Sequence, residues 1–367
     1  MNAMKTAEFR SLLRLVFAGL IFISAASRMF SQALVQPPDV QPEIAESELV
    51  NLSFRGCIDG RGHPDEQLVH VGFRVKGDGD YLLRTTGASL QYLGVTDYLK
   101  NRSESSVLAS ATFEIYDFPS SGSAQLVWRQ IYTSGWDMKD EKSLVLFDKP
   151  KMESIYSKLG LFPQEKIDQE CGMVFHASDG SHTMVIHGGG AIPEGVILAE
   201  VNLMPGSSSK LLNESARCFI KLGDRCAIAG FVIATKGKKG KPLTIMVRGA
   251  GPSMLKFGVP KVVQDPILTL HHGIRNPDGT SGDEVVGIND NWQDAPTNKS
   301  ASVSMLRSAT AEDFRRLGAF ALDNGSKDAA LVATLEPGTY SAVIQSKDGT
   351  EDKEGIVELY VMSDEPK

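Results

Sequence analysis

The sequence predicts an all-β protein of two tandem antiparallel β-sandwich modules, each with one short helix. Three observations carry that expectation. Apolar and polar residues alternate with a period of two over many short segments, the pattern of strands buried on one face. Gly, Asp, Asn and Pro punctuate those segments as turn residues. The order of motifs then repeats once along the chain, at an offset that stays between 156 and 164 residues.

Residues 1–33 read as a secretory signal. Lys5, Arg10 and Arg14 form a positive start, Leu15 to Ala26 is mostly apolar, and Ser31-Gln32-Ala33 offers the small residues that a signal peptidase reads. The run is too short for a spanning helix, which needs about 20 apolar residues. No cysteine follows it, so no lipid anchor is expected. Export is therefore the expected address: extracellular, cell surface or periplasmic. Cleavage removes four basic residues and one acidic residue, leaving 34 against 44, a net charge of −10. Residues 34–47 carry Pro37, Pro38 and Pro42 and read as an extended spacer.

The first module is expected over 48–205 and the second over 211–363, joined by a linker at 206–210. Asn51-Leu52-Ser53 matches Asn213-Glu214-Ser215, and Gly72-Phe73 matches Gly230-Phe231. Leu83-Arg84-Thr85-Thr86-Gly87-Ala88-Ser89 matches Val247-Arg248-Gly249-Ala250-Gly251-Pro252-Ser253. Gly94-Val95 then answers Gly258-Val259, Trp136 answers Trp292, Leu159-Gly160 answers Leu317-Gly318, and Gly180 to Ile186 answers Gly338 to Ile344. Chance does not hold order and spacing over so many landmarks. A period this long means tandem domains rather than a solenoid of small units. Within the modules, Val69, Val71, Phe73 and Val75 fall on one strand face; so do Tyr340, Ala342 and Ile344, and Val357, Leu359 and Val361. Met152, Ile155 and Leu159 have helical spacing before Gly160. Thr310 caps a second short helix, with Phe314 and Leu317 inward and Gly318 ending it. Both helices are expected to cover one end of a sandwich.

Composition narrows the function. A 42% apolar and 23% charged chain is an ordinary globular one. A pI near 5.6 argues against a sequence-independent grip on nucleic acid.

The residues Arg248 to Ser253, Asp265-Pro266, Asn289 to Trp292 and Pro337 to Tyr340 resemble a repeated module of large exported proteins of environmental bacteria. The later half also resembles the bacterial pre-peptidase C-terminal type of domain. The resemblance spans most of 48–363 and is stronger for the second copy. It implies a jelly-roll-like β-sandwich with an accessory or surface role, no catalysis and no established ligand. The first copy departs from it at Tyr132 to Trp136, where the Asn-Asp loop is missing.

Several residues carry potential chemistry. Asp265, Asn289, Asp290 and Asn291 are hard oxygen donors of the kind that Ca²⁺ takes. The same residue types also make turns through side chain to backbone hydrogen bonds, and the spacing fits no EF-hand. Arg84 and Arg248 hold the same place in both copies. Each suits a bidentate grip on a ligand carboxylate; the other reading is a bridge to a loop acid inside the module.

Cys57, Cys171, Cys218 and Cys226 lie in an exported chain, where disulfides form. Cys218 and Cys226 flank a turn at Leu222-Gly223-Asp224 and are expected to pair, leaving Cys57 with Cys171. His187-Gly188-Gly189-Gly190 is similar to an esterase oxyanion motif, but no Gly-x-Ser-x-Gly elbow accompanies it. The histidines read as scattered surface residues, and Lys236 to Lys241 as a solvated hairpin tip.

The expected function is a secreted or surface-associated, non-enzymatic structural or binding protein, in adhesion, matrix or carbohydrate contact. Extracellular polysaccharide or surface proteins are the expected partners, with Ca²⁺ as the one conceivable cofactor. The alternative is an enzyme-associated accessory domain pair or a secreted hydrolase.

Overall fold

The computed structural model describes residues 46–58, 68–93, 111–118, 125–130, 149–165, 170–188, 195–220, 226–235, 240–298, 300, 303–349 and 353–362. The signal segment, nearly all of the 34–47 spacer, the loop before Trp136, Leu222 to Asp224, and Lys236 to Lys239 lie outside these residues.

The described chain is almost entirely antiparallel β-structure. The first half carries β1 (Ser47–Ile58), β2 (Leu68–Lys76), β3 (Gly79–Thr86), β4 (Ala111–Phe118), β5 (Gln125–Gln130), β6 (Cys171–Ala177), β7 (Gly180–Gly188) and β8 (Gly195–Leu203). The second carries β9 (Lys210–Ile220), β10 (Ala227–Thr235), β11 (Leu243–Ala250), β12 (Pro266–Arg275), β13 (Ser281–Asn289), β14 (Thr297–Asn298), β15 (Val303–Ser308), β16 (Ala329–Leu335), β17 (Gly338–Ser346) and β18 (Lys353–Val361). All belong to one hydrogen-bonded system.

Its ladders follow two runs. One is β6-β3-β8-β1-β10-β17-β12-β13-β14. The other is β5-β4-β7-β2-β9-β18-β11-β16-β15. Each run crosses from the first half of the chain to the second, and two parallel bridges between β1 and β9 join them.

The alternating residues explain the core. Val69, Val71, Phe73 and Val75 on β2, and Tyr340, Ala342 and Ile344 on β17, are buried as their period of two requires. Side chains of both runs meet in a single apolar cluster that includes Leu52, Phe54, Phe73, Leu83, Phe231, Val247 and Leu359. The connector at 206–210 is short: Ser207 N–H donates to Met204 O at 3.1 Å, and Ser209 Oγ donates to Gly77 O at 2.7 Å.

Helix α1 (Lys149–Leu159) buries Met152, Ile155, Tyr156 and Leu159 against Leu82 of β3. Helix α2 (Ala311–Leu317) buries Phe314 in a cluster with Met246, Val332 and Tyr360. Leu82 and Met246 alternate with the core residues Leu83 and Val247, so the helices cover the outer strand faces rather than one end of the fold. Thr310 Oγ1 accepts from Asp313 N at 3.1 Å, Asp313 returns a bond to Thr310 N, and Gly318 at φ 69° ends the helix. That is a complete capping box. Among the described residues no helix is long and apolar enough to cross a membrane.

The expected disulfides do not form: all four cysteines are buried and free. The reason is topological. β9 and β10 lie in different runs, so no hairpin sets Cys218 opposite Cys226. Cys226 packs instead with Ile228 and Val343, while Cys218 enters the main cluster. Cys171 is on β6, three strands from β1 and Cys57. At about 4.8 Å per strand that separation exceeds the reach of a disulfide. Cys171 Sγ lies 3.1 Å from Ala111 O, and burial pushes its thiol up to about 12.

Candidate functional site

Arg84 on β3 and Arg248 on β11 are each 0% exposed. The expectation that either holds a ligand carboxylate in a groove is therefore corrected: each already holds an internal one. Arg84 Nε donates to Glu200 Oε2 on β8 at 2.5 Å, and Arg248 Nε donates to Glu358 Oε2 on β18 at 2.5 Å. Strand neighbours, not loop acids, supply the carboxylates. The Nη1 groups reach a loop carbonyl, Phe162 O at 2.8 Å and Phe320 O at 2.6 Å.

Aromatic rings close over both cations. Arg84 Cζ sits 4.3 Å from the Phe162 ring centre and 4.8 Å from that of Tyr156. Arg248 Cζ sits 3.9 Å from Phe320 and 5.4 Å from Phe314. A desolvated guanidinium over a ring gains electrostatic attraction of about 2 kcal/mol. Burial raises the Tyr156 phenol far above its ordinary range.

A second duplicated device sits beside each arginine. Glu170 accepts from Gly87 N, Ser89 N and Ser89 Oγ at 3.2, 2.7 and 2.7 Å. Asp328 accepts from Gly251 N at 2.7 Å, from Ser253 N at 3.2 Å and from Ser253 Oγ at 2.5 Å. These bonds tie down the tight turns Ala88–Leu93 and Pro252–Phe257 that follow the Arg-bearing strands. Burial pushes the Glu170 carboxyl up to about 7, against the bonds from Ser89 and Gly87 that favour its ionised form. A Cβ on Gly251 would stand 1.9 Å from Val263 O, so backbone passes backbone here with no room for a side chain. Gly251→Ala is expected to lower stability by about 1–3 kcal/mol, the range for overpacking; an unchanged denaturation midpoint would contradict this crowding.

The anchored second turn ends at the surface. Leu255 is 50% and Phe257 60% exposed. Phe320 packs edge-on against Phe257 at 5.1 Å, and Lys256 Nζ donates to Asp323 at 2.8 Å. Two apolar side chains are thus held out to solvent on a fixed turn.

The proposed Ca²⁺ donors are used otherwise. Asn289 Nδ2 donates to Asn291 O and Asp294 O, and its Oδ1 accepts from Ala330 N. Asn291 bonds Asp294 at 2.9 Å. Lys327 Nζ pairs with Asp265 at 2.6 Å, and Lys347 with Asp290. Two lysines thus neutralise the carboxylates and both asparagines hold a turn, which does not fit a cation cage. Among the described residues no three His, Cys, Asp or Glu gather as a metal site.

The histidines also differ from expectation. His182 is buried against Phe73 and Phe175, with Asp117 Oδ1 at 2.6 Å from Nδ1 and Ser178 O at 2.8 Å from Nε2. His271 Nδ1 lies 2.7 Å from Asp283 Oδ2. Ser341 faces His271 across the β12–β17 ladder, but its buried hydroxyl has no hydrogen-bond partner, so Ser, His and Asp are not linked as a nucleophilic set. His187 of the glycine run is 3.8 Å from Glu114, and Gly189 and Gly190 lie outside the described residues.

Sequence reasoning found the two arginines but missed their acids. The signal was present: Glu200 and Glu358, Glu170 and Asp328, and Phe162 and Phe320 all recur within the repeat offset. Neither a known protein-family model nor a curated protein matches the chain.

Proposed function

We propose that this chain is an exported, non-enzymatic structural or binding protein, built of two β-sandwich modules of the pre-peptidase C-terminal-like kind, that makes contact with extracellular polysaccharide or surface protein. The observation that carries this reading is the contrast between interior and surface. The duplicated charged groups, Arg84, Arg248, Glu200, Glu358, Glu170 and Asp328, are all buried and mutually paired. The turn that they anchor presents Leu255 and Phe257 outward. Exposed aromatic residues on rigid supports are the typical anchors of binding surfaces.

The test is retention of the mature chain on polysaccharide and surface extracts of its native cells, with a glycan array alongside. A Leu255→Ser/Phe257→Ser variant is expected to lose at least tenfold in affinity while melting like the parent, because both side chains are already in water. Equal retention of variant and parent, or turnover of a bound polymer, would count against the proposal.

A further inference from the structure

We infer that the chain is an internal two-fold dimer: each half carries a self-complementary pair of strand edges, and the partner that fits those edges is a second copy of the same chain. The two halves are joined by reciprocal pairings, β1 of the first with β10 of the second, and β9 of the second with β2 of the first. Residue partners obey the same exchange. Leu52 opposite Phe231 is mirrored by Glu214 opposite Phe73, and Phe54 opposite Ala229 by Ala216 opposite Val71. Even the irregularities correspond. One ladder shifts register between Leu49 and Asn51, and the other skips Leu212, the counterpart of Val50.

The parallel bridges place the axis. Leu49 pairs with Leu211 and Cys57 with Phe219, so each residue meets its own counterpart 162 positions on. Self-contact of equivalent residues occurs beside a two-fold axis, and here that axis runs between β1 and β9, along the strands. An isologous interface of this kind uses one patch on both sides. A first half therefore fits another first half as it fits a second half.

The two patches differ at one core position. Two first halves would set Leu52 against Phe73 twice, all apolar. Two second halves would set Glu214 against Phe231 twice, burying two carboxyls. In the intact chain the compact connector keeps each half on its own partner. Opening the connector hands the edges to another copy, as in domain swapping.

The test uses the whole mature chain with a protease site inserted after Gly206, cut while folded. The fragments are expected to elute together as one 1:1 species. After unfolding and refolding of the mixture, native mass spectrometry is expected to show first-half pairs beside mixed pairs, with second-half pairs the rarest. Mixed pairs alone, separate fragments, or second-half pairs in excess of first-half pairs would overturn the inference. Should the cut mixture not refold, an uncut chain lacking Pro205 and Gly206 and carrying Leu49→Cys and Leu211→Cys answers the question. An interchain bridge in a dimer supports the two-fold; a monomer with an intrachain bridge overturns it.

Discussion

Arg248→Ala should lower the free energy of unfolding by about 3–5 kcal/mol, the range for removing one partner of a buried ion pair. Arg248 and Glu358 are both shut off from water, and Glu358 is otherwise held by Tyr360 Oη at 2.7 Å. Alanine removes the cation and leaves the carboxylate in a low-dielectric site under Phe320 and Phe314. It also frees the Phe320 carbonyl that Nη1 satisfied. The loss therefore has two sources, an uncompensated charge and an orphaned acceptor. A control separates them from simple packing. Arg248→Met with Glu358→Leu removes both charges at similar volume and should regain most of the stability. Urea midpoints at constant m-value give the comparison. A single variant within 1 kcal/mol of the parent, or a double variant no better than the single, would show that the pair does not hold the half together. Arg84→Ala should act alike through Glu200. Because one apolar cluster spans both halves, either loss should lower a single cooperative transition.

The features that the sequence made legible were those written at short range. Period-two runs such as Val69 to Val75 announce their buried face because a strand side chain has only two sides to choose from. Thr310, Asp313 and Gly318 define a helix by local hydrogen bonds alone. The features that stayed hidden depend on which strands become neighbours. A hairpin between β9 and β10 is the natural expectation for strands joined by a short connection, and the proposed Cys218–Cys226 bridge rested on it. The observed chain places these strands in different runs, each paired with the other half. The partners of Arg84 and Arg248 were hidden for the same reason. Glu200 is 116 residues from Arg84 and Glu358 is 110 from Arg248, so only the closed ladder brings them together. The Asn-Asp loop was ambiguous in a different way: the oxygen donors that build a cation site also build turns, and Lys327 and Lys347 decide the matter from other elements.

Glu214 sets the pH at which the fold is most stable. It lies on β9 between Phe73 and Leu359, is 0% exposed, and neither carboxyl oxygen has a hydrogen-bond partner. Its counterpart in the first half is Leu52, which the same core accepts without penalty. Burial holds the Glu214 carboxyl well above its usual range, so the folded protein keeps this proton to a higher pH than the unfolded chain does. Below the titration range of an unfolded glutamate, near pH 4.3, both states are protonated and the contribution is fully present. Above it, only unfolding releases the proton, and stability falls by about 1.4 kcal/mol per pH unit until the folded carboxyl itself ionises. Glu170 adds a decline of the same sign, ending near pH 7. Comparing variants isolates Glu214. Glu214→Leu should remove its share of the slope and raise stability at pH 7 above the parent. Glu214→Gln should flatten the slope equally but gain less, since a polar group without a partner stays in the core. Denaturant midpoints of the three proteins from pH 4 to 8 give the answer, and parallel curves for parent and glutamine variant would mean that the buried carboxyl does not govern the profile.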